Sequence, residues 1–273
     1  KNEKLTQFHM DIAASIQKVT EDVMIKLIKS LKEEFNLPNL CLAGGVALNC
    51  VANGKILKEK IFDNIWVQPA AGDAGGSLGA ALALWHIDQN NSRTVDYKDT
   101  MQGSYLGPEY SQKEIEEQLD KAGAKYEIFK DEELLDKTAT DLSKEEAIGW
   151  FQGRMEFGPR ALGGRSILGD PRSEKMQKNL NLKVKYRESF RPFAPSILKE
   201  DLSEWFDINV DSPYMLLVSD INKDKTIEMT EDQKILFGID KLNVKRSEIP
   251  AVTHVDYSAR IQTVHKETNE KYF

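Results

Sequence analysis

The chain has 273 residues, 40% of them hydrophobic and 30% charged, and a net charge of −7. This composition predicts a globular protein of about two domains, and no apolar run approaches the roughly 20 residues of a membrane span. The acidic balance argues against general nucleic-acid binding. The chain begins KNEKLTQF, without methionine or an apolar signal region, so we expect it to be an internal cut of a longer protein.

The first part of the chain predicts an α/β layer. Apolar residues recur at steps of three and four between Asp11 and Phe35, which indicates an amphipathic helix with one buried face. The residues of that face are Ile12, Ile16, Val19, Val23, Leu27, Leu31 and Phe35. After it we predict, in order, the strand Leu40–Ala43, a Gly-Gly loop, the helix Asn49–Glu59, the strand Ile65–Pro69, the loop Ala70–Gly76 and the helix Ser77–Trp85. Alternation of this kind indicates parallel strands.

From Asp88 to Gly103 the sequence turns polar and aperiodic, so we predict domains 1–95 and 96–273. In the second domain we predict the helices Ser111–Gly123 and Glu132–Lys144, and a helix begun by Pro171. The predicted strands are Lys125–Phe129, Ala147–Phe151, Ala194–Leu198, Met215–Asp220, Val252–Val255 and Arg260–Val264. The pattern indicates an α+β domain with a twisted, mixed sheet.

Both glycine-rich loops follow a strand, at the edge where open α/β sheets bind ligands. Gly44 and Gly45 let the backbone approach a phosphate closely, and the helix start that follows offers N–H groups to an anion. The loop Gly72–Gly76 repeats this arrangement, and its Asp73 is suited to a metal ion that bridges nucleotide phosphates. The alternative is structural: the glycines permit tight packing and Asp73 caps a helix.

Positive charge is concentrated between Arg154 and Arg191, which hold ten Lys/Arg and four Asp/Glu, while the remainder carries −13. A local site for a small anion fits that distribution. The candidates are Arg154, Arg160, Arg165, Lys183, Lys185, Arg187, Arg191 and Arg260. Arginine binds phosphate in a bidentate manner, and backbone N–H groups of the intervening glycines are expected to join the cradle. Such a site would stabilise a transferring phosphoryl or acyl-phosphate group.

The alternative for this region is a solvated basic face paired with Glu156, Glu174 and Glu188. We favour that alternative for Lys175 and Lys178 on the predicted helix after Pro171. We do not favour it for Arg160 and Arg165, because glycines on both sides make a plain surface helix implausible.

Histidine and cysteine give weaker signals. The histidines His9, His86, His254 and His265 form no pair with metal-ligand spacing. His254, within THVD, is equally consistent with an acid/base or anion-contacting group and with a structural histidine. Cys41 and Cys50 lie in apolar company, which predicts buried, reduced thiols and a cytoplasmic protein. Walker A, kinase and GxSxG motifs are absent from the sequence.

Five stretches together resemble the antibiotic and nodulation-factor O-carbamoyltransferases. They read CLAGGVALNCVANGKI, QPAAGDAGGSLGAAL, GWFQGRMEFGPRALGGRSILGDPR, KYRESFRPFAPSIL and IPAVTHVDYSARIQTV. The resemblance implies part of an actin/Hsp70-like domain, similar to the tRNA threonylcarbamoyl transferases, followed by a YrdC-like α+β domain. In that family the YrdC-like domain makes carbamoyl-adenylate from carbamoyl phosphate and ATP. The actin-like domain transfers the carbamoyl group to a hydroxyl, with a bound divalent metal of the Fe²⁺ or Mg²⁺ type.

Carried over to this chain, the resemblance assigns catalytic roles to Arg160, Lys185 and Arg260 on carbamoyl phosphate or the adenylate. Further residues expected to bind this substrate are Arg154, Arg165, Arg187, Arg191 and His254. The resemblance places the metal on Asp73. Residues expected at the nucleotide are Gly44, Gly45, Asn49, Gly72 and Gly75. The expected acceptor is a small-molecule hydroxyl of antibiotic, sugar or lipo-oligosaccharide type, with neither nucleic acid nor membrane as partner.

Two departures from the family pattern lead to a further expectation. The metal aspartate works in the family with a histidine pair from an earlier segment, and the YrdC-like site includes a serine from an LNTSFN-like segment after the position of Phe273. Neither is in this sequence. We therefore expect a chain truncated at both ends that does not carry out full carbamoyl transfer alone. Two other readings stay open: a threonylcarbamoyl-adenylate synthase acting in tRNA modification, and a nucleotide-binding module without enzymatic activity.

Overall fold

The computed structural model describes residues 5–95 and 98–273, apart from the side chain of residue 239. The α-helices of these residues are α1 (Gln7–Phe35), α2 (Cys50–Lys58), α3 (Asp73–Ala83), α4 (Gln112–Lys121), α5 (Asp131–Ser143), α6 (Met176–Asn179), α7 (Leu202–Trp205) and α8 (Glu231–Lys234). The strands are β1 (Asn39–Leu42), β2 (Asn64–Val67), β3 (Ile148–Phe151), β4 (Arg165–Leu168), β5 (Ser196–Leu198), β6 (Leu217–Asp220) and β7 (Ser258–Val264). None of the described helices is both long and apolar enough to cross a bilayer.

Helix α1 forms as predicted but packs on a different face. It ends at Asn36, which adopts the left-handed conformation that closes a helix. The side chains that contact Leu40 and Ile56 are Met24, Ile25 and Ile28. The apolar stripe that was predicted to be buried is exposed, because the helix packs on α2 and β1 through the narrower face formed by Met24, Ile25 and Ile28. The residues of that stripe keep between 43% and 63% of their accessible surface: Ile12, Ile16, Val19, Val23, Leu27, Leu31 and Phe35.

The predicted parallel pair is confirmed by β1 and β2, which run in register from Asn39 opposite Asn64 to Leu42 opposite Val67. Helix α3 begins at Asp73 rather than at Ser77, so part of the predicted glycine loop is helical. A methyl group on Gly75 would lie 2.1 Å from the carbonyl oxygen of Ala70. Glycine is therefore required here for the close approach of the helix to the preceding chain.

The second part of the chain carries two small sheets. Strands β3 and β4 pair antiparallel, and β7 lies between β5 and β6, parallel to the first and antiparallel to the second. The strand predicted at Lys125–Phe129 is wrong, since these residues are irregular, and the one at Val252–Val255 is replaced by a 3₁₀ turn, Pro250–Val252. Strand β4 was not predicted, because its first two residues, Arg165 and Ser166, are polar and directly follow two glycines, a pattern typical of a loop.

One hydrophobic cluster joins the two parts of the chain. It contains Ala47 and Val67 from the first part with Leu162, Tyr214 and Leu216 from the second. Next to it, the Asn53 side chain donates to the Leu216 carbonyl at 3.1 Å. The structure is a mixed α/β chain, as predicted, while its actin-like and YrdC-like character stays a prediction. The boundary at 95/96 also stays a prediction, and residues 96–97 lie outside the described ranges.

Candidate functional site

A buried carboxylate organises the glycine-rich loop that precedes β4. One oxygen of Glu156, Oε1, accepts hydrogen bonds from the backbone N–H groups of Leu162 at 2.6 Å, Gly164 at 2.8 Å and Arg165 at 3.3 Å. The N–H of Gly163 donates to the Ser166 hydroxyl at 2.9 Å. Buried N–H groups need such partners, so Glu156 holds the loop in one conformation.

This arrangement corrects two predictions. The backbone N–H groups expected to cradle an external anion are occupied by Glu156, whose carboxylate takes the place such an anion would have had. Glu156 also does not pair with a basic surface, because its oxygen accepts from the backbone and the residue is 7% exposed. The loop therefore acts as a fixed support, and the side chains around it are the remaining candidates for contact with an anion.

Arg160, Arg187 and Arg260 lie close enough for the charges of the first two to act on the third, and they are called the arginine cluster below. Arg260 is half-buried on β7, and burial, with the neighbouring positive charges of Arg160 and Arg187, holds its pKa below the ordinary arginine value. The Cys50 thiol lies next to Arg260 and opposes that shift. Within the described residues, the buried Nε atoms of Arg160 and Arg260 have no hydrogen-bond partner.

The first part of the chain contributes directly to this cluster. Arg160 donates from its Nη2 to the Leu48 carbonyl at 3.4 Å, and Cys50 is the first residue of α2. Gly158, with a φ of +139°, lies against the Pro69 carbonyl, which a methyl group would meet at 3.2 Å. The sequence predicted one site in each domain, whereas the structure sets the loop after β1 against the arginines of the second part.

The other predicted basic residues lie apart from the cluster or are already engaged. Arg165 donates to the carbonyls of Gln152, Gly153 and Gly164 and lies 3.4 Å from the Phe151 ring centroid. These contacts give Arg165 a structural role in holding the loop, whereas the sequence predicted that it binds substrate.

Of the remaining candidates, Arg191 pairs with Glu188 at 3.1 Å on the surface, and Lys185 is exposed. Arg187, a member of the cluster, donates to the Asn181 side chain at 2.7 Å and lies over the Phe193 ring, so one face of its guanidinium is held in place. Lys183, like Lys185, is exposed.

Arg154 lines a different place, a cavity of about 590 Å³. Its other lining residues are Lys98, Asp99, Gln102, Gly103, Tyr105, Gln152, Gly153, Glu267, Thr268 and Asn269. Burial raises the pKa of Tyr105 to about 12, so its hydroxyl keeps its proton and donates to the Leu162 carbonyl at 2.6 Å. Arg160, Arg187 and Arg260 do not line this cavity.

His254 stands at the end of a short polar chain. The Ser258 hydroxyl donates to Asp256 at 2.7 Å, and His254 Nδ1 lies 2.9 Å from the same hydroxyl oxygen. The Nε2 atom of His254 is buried and has no hydrogen-bond partner in the described part of the chain. Burial lowers the pKa of His254 below 6.5, opposed by Asp256 and reinforced by Arg260 and Arg246.

The glycine loops of the first part are only partly open. Gly44 has a φ of +96°, and the space beside it and beside Gly45 is empty, as a close backbone approach to a phosphate requires. Asn49 is engaged: it caps α2 through the Ala52 N–H at 3.1 Å and pairs with the Gln17 amide. Gly72 is the N-cap of α3.

Asp73 is exposed in the first turn of α3. Within residues 5–95 and 98–273, no group of three or more His, Cys, Asp or Glu side chains is arranged to hold a metal ion. One carboxylate does not make a divalent-metal site, which needs several oxygen or nitrogen ligands. These residues alone therefore do not fit the expected metal.

Cys41 and Cys50 are both free thiols, as predicted, but Cys41 is exposed rather than buried. Two residues at the site were not predicted from the sequence: Glu156 as the loop anchor, and Gln262, whose amide donates to the Leu162 carbonyl at 2.8 Å. A signal for Gln262 was present. Polar residues alternate in SARIQTV, and residues two apart on a strand share a face, so Ser258, Arg260 and Gln262 point the same way.

Comparison with known families places these residues in context. Residues 1–82 match the family model described as carbamoyltransferase N-terminus, and residues 139–273 match the one described as carbamoyltransferase C-terminus. The chain belongs to the carbamoyltransferase family. The C-terminal match contains the arginine cluster, Glu156 and His254, and the N-terminal match contains both glycine loops, so this membership supports a transferase.

Individual relatives agree with this. The chain is 58% identical to an uncharacterized protein of Synechocystis over 98% of its residues. It is 39% identical to nodulation protein NolNO of Sinorhizobium fredii and 38% identical to nodulation protein NolO of Bradyrhizobium diazoefficiens, again over 98% of its residues. It spans 44%, 36% and 45% of the length of these three proteins.

Proposed function

We propose that the chain is part of an ATP-dependent O-carbamoyltransferase. In the first step, carbamoyl phosphate, ATP and water give carbamoyl-adenylate, phosphate and pyrophosphate. In the second, the carbamoyl group passes to a hydroxyl of a small molecule of antibiotic, sugar or lipo-oligosaccharide type, and AMP is released. Family membership supports the transfer of a carbamoyl group, and the arginine cluster supports the choice of an acyl phosphate as its source.

The observation that carries the proposal is the cluster of Arg160, Arg187 and Arg260. Guanidinium groups that lie together repel one another, and no Asp or Glu forms an ion pair with these three in the described residues. A bound dianion would relieve that repulsion and supply partners for the buried Nε atoms of Arg160 and Arg260. Carbamoyl phosphate has that charge and that set of acceptor oxygens.

The cluster also suits the chemistry of the first step. Charge develops on the phosphate as the bond to the carbamoyl carbon breaks, and fixed guanidinium groups stabilise that charge without reorganisation. Lys185 is the proposed mobile cation, because its side chain is exposed and it lies two residues before Arg187 in the chain. Gly44 and Gly45 belong to the same loop as Leu48, whose carbonyl accepts a hydrogen bond from Arg160. We propose that these two glycines receive the nucleotide phosphates.

The proposed partners follow from charge. The residues outside Arg154–Arg191 carry −13, which disfavours tRNA or a membrane surface and favours a small-molecule acceptor. The free thiols of Cys41 and Cys50 favour a cytoplasmic enzyme. A divalent metal stays part of the proposal with Asp73 as one candidate ligand, and no step is assigned to it.

The test is the exchange of label between pyrophosphate and ATP, measured with and without carbamoyl phosphate. It is run on the full-length protein and, in parallel, on residues 1–273. We expect exchange only when carbamoyl phosphate is present, and we expect Arg160→Ala to reduce the rate by a factor on the order of 100 or more, as for loss of a charge-stabilising donor.

The matched control is Arg93→Ala, which removes an exposed arginine that makes no ion pair among the described residues. It should leave the exchange rate unchanged. Exchange that is independent of carbamoyl phosphate, or insensitive to Arg160→Ala, would refute the proposed site.

A further inference from the structure

The ligand proposed above has two chemically different ends. Its phosphate and carbonyl oxygens accept hydrogen bonds, whereas its amino group donates them. Arg160, Arg187 and Arg260 can only donate, because a guanidinium has five N–H donors and no acceptor. A site made of arginine alone would bind any acyl phosphate of the same charge and would leave the amino group without a partner.

His254 lies beside these donors. Ser258 and Arg260 are two residues apart on β7, so their side chains leave the same face of the strand, with Cα atoms about 7 Å apart. His254 contacts Ser258 on that face, and the charge of Arg260 acts on the imidazole. The imidazole therefore lies on the face of β7 that carries Arg260, within reach of its charge.

The hydrogen bonds around Ser258 determine which nitrogen of His254 carries the proton. A carboxylate accepts, so the hydroxyl hydrogen of Ser258 points to Asp256 at 2.7 Å. The same oxygen then accepts from His254 Nδ1–H at 2.9 Å. With the proton on Nδ1, the Nε2 atom of the neutral ring carries a lone pair and can only accept.

That lone pair lies on an atom that is buried and has no partner in the described residues. A buried acceptor without a partner is costly, and a ligand N–H would satisfy it. A phosphate oxygen would not, because two acceptors repel each other. The geometry therefore favours an N–H donor from the ligand over an anion at this position.

We propose that Nε2 of His254 accepts a hydrogen bond from the amino group of carbamoyl phosphate, and so selects a carbamoyl phosphate over an acyl phosphate without N–H. The inference rests on the proposed function, since it takes the arginine cluster as the acyl-phosphate site. Asp256 and Ser258 act as positioning residues, which hold the ring in the tautomer that presents the lone pair.

The experiment compares two ligands of the same charge and nearly the same shape. Binding of freshly prepared carbamoyl phosphate and of acetyl phosphate, in which a methyl group replaces the amino group, is measured by calorimetry on residues 1–273 and on the full-length protein. We expect the wild type to prefer carbamoyl phosphate by a factor on the order of ten to a hundred, from one satisfied buried acceptor.

Two variants separate recognition from structure. In His254→Asn the side-chain amide reaches only the Nδ1 position, so the bond to Ser258 can persist while the acceptor is lost. In His254→Gln an amide group reaches the Nε2 position. We expect His254→Asn to reduce the preference to about twofold or less with little change for acetyl phosphate, and His254→Gln to retain part of it. A structural role would weaken both ligands equally.

The outcomes distinguish the two proposals. If the wild type binds both ligands equally, or if His254→Asn keeps the wild-type preference, the role of His254 is refuted and the arginine site stands. If the wild type binds neither ligand, the proposed acyl-phosphate site itself is refuted, and the role of His254 with it. A measurement that needs no variant is the tautomer of His254 by ¹⁵N NMR, where a proton on Nε2 would overturn the inference.

Discussion

A single carboxylate, Glu156, determines the conformation of the loop that carries Arg160. Its Oε1 replaces the external anion that the glycine-rich sequence suggested, since it accepts from Leu162, Gly164 and Arg165. The same feature that makes such loops bind phosphate, a concave set of N–H groups, is here used internally.

Replacing this carboxylate should therefore loosen the loop. We expect Glu156→Ala to lower the free energy of unfolding by about 2–4 kcal/mol, because it leaves buried N–H groups without partners. Urea unfolding measures this loss of stability. The matched control is Glu174→Gln, which weakens an exposed ion pair with Lys245. It should change the free energy of unfolding by no more than about 0.5 kcal/mol. Equal stability of the two variants would contradict the anchoring role.

The titration of His254 gives a second expectation for a single residue. Burial favours the neutral ring and lowers its pKa below 6.5, with Arg260 and Arg246 also lowering it and Asp256 raising it. As the pH falls through 6.5, the unfolded chain binds a proton that the folded protein does not yet bind. The contribution of His254 to stability is thus complete above pH 6.5 and decreases below it.

This expectation is tested by unfolding the wild type and His254→Asn between pH 7.5 and about pH 5, a window that spans the ordinary histidine pKa. The stability of the variant should fall less steeply with decreasing pH than that of the wild type. Parallel curves for the two proteins would show that His254 titrates with an unshifted pKa.

Among the elements, α2 and β6 bring the two parts of the chain into direct backbone contact. A methyl group on Gly54 would lie 2.2 Å from the Val218 carbonyl oxygen, which is backbone and cannot turn aside. Glycine at this position lets the helix lie directly on the strand, and this packing brings Cys50 at the start of α2 to Arg260 on β7, the neighbour of β6.

We expect Gly54→Ala to destabilise the protein by about 1–3 kcal/mol, because α2 must move away from β6. The control is Gly79→Ala in α3, where nothing lies within 4 Å of the added methyl group. There alanine should stabilise by roughly 0.5–1 kcal/mol through its helix propensity. Thermal unfolding should show a lower unfolding temperature for Gly54→Ala and a higher one for Gly79→Ala. An unchanged unfolding temperature for Gly54→Ala would contradict the packing of α2 on β6.

The elements also show what local sequence can predict. Periodicity located α1, and the ranges predicted from local sequence also located α2, α4, α5 and most of β7, because such signals reside in neighbouring residues. The buried face of α1 was wrong, since the choice between its two apolar faces depends on which one α2 and β1 cover. At the site, Arg160 and Arg260 were predicted from residue type and resemblance. Their approach to Leu48 and Cys50 was not, because it depends on contacts between distant segments.

At the scale of the whole molecule, we expect the arginine cluster to couple the proposed anion binding to folding. Arg160, Arg187 and Arg260 oppose one another in the folded protein, and a bound anion relieves that repulsion. Anything that binds only the folded state stabilises it.

Inorganic phosphate should therefore raise the unfolding temperature. At a concentration tenfold above its Kd, the gain is about 1.4 kcal/mol. Sodium chloride at equal ionic strength is the control for screening. Arg260→Met should raise the stability without phosphate and reduce the gain with it. An equal gain in the variant would show that phosphate binds elsewhere.

The contact between Gly54 of α2 and Val218 of β6 also bears on how such a chain can evolve. The polar stretch between residues 89 and 95 contains no helix or strand, so a recombination crossover there would interrupt no element. A crossover there would unite an α2 from one parent with a β6 from another. Only parents that keep glycine at position 54 and an amide donor at Asn53 would give an offspring whose halves fit together. The requirement on side chains falls on the first half alone, because both residues meet backbone carbonyls of the second half, those of Val218 and Leu216.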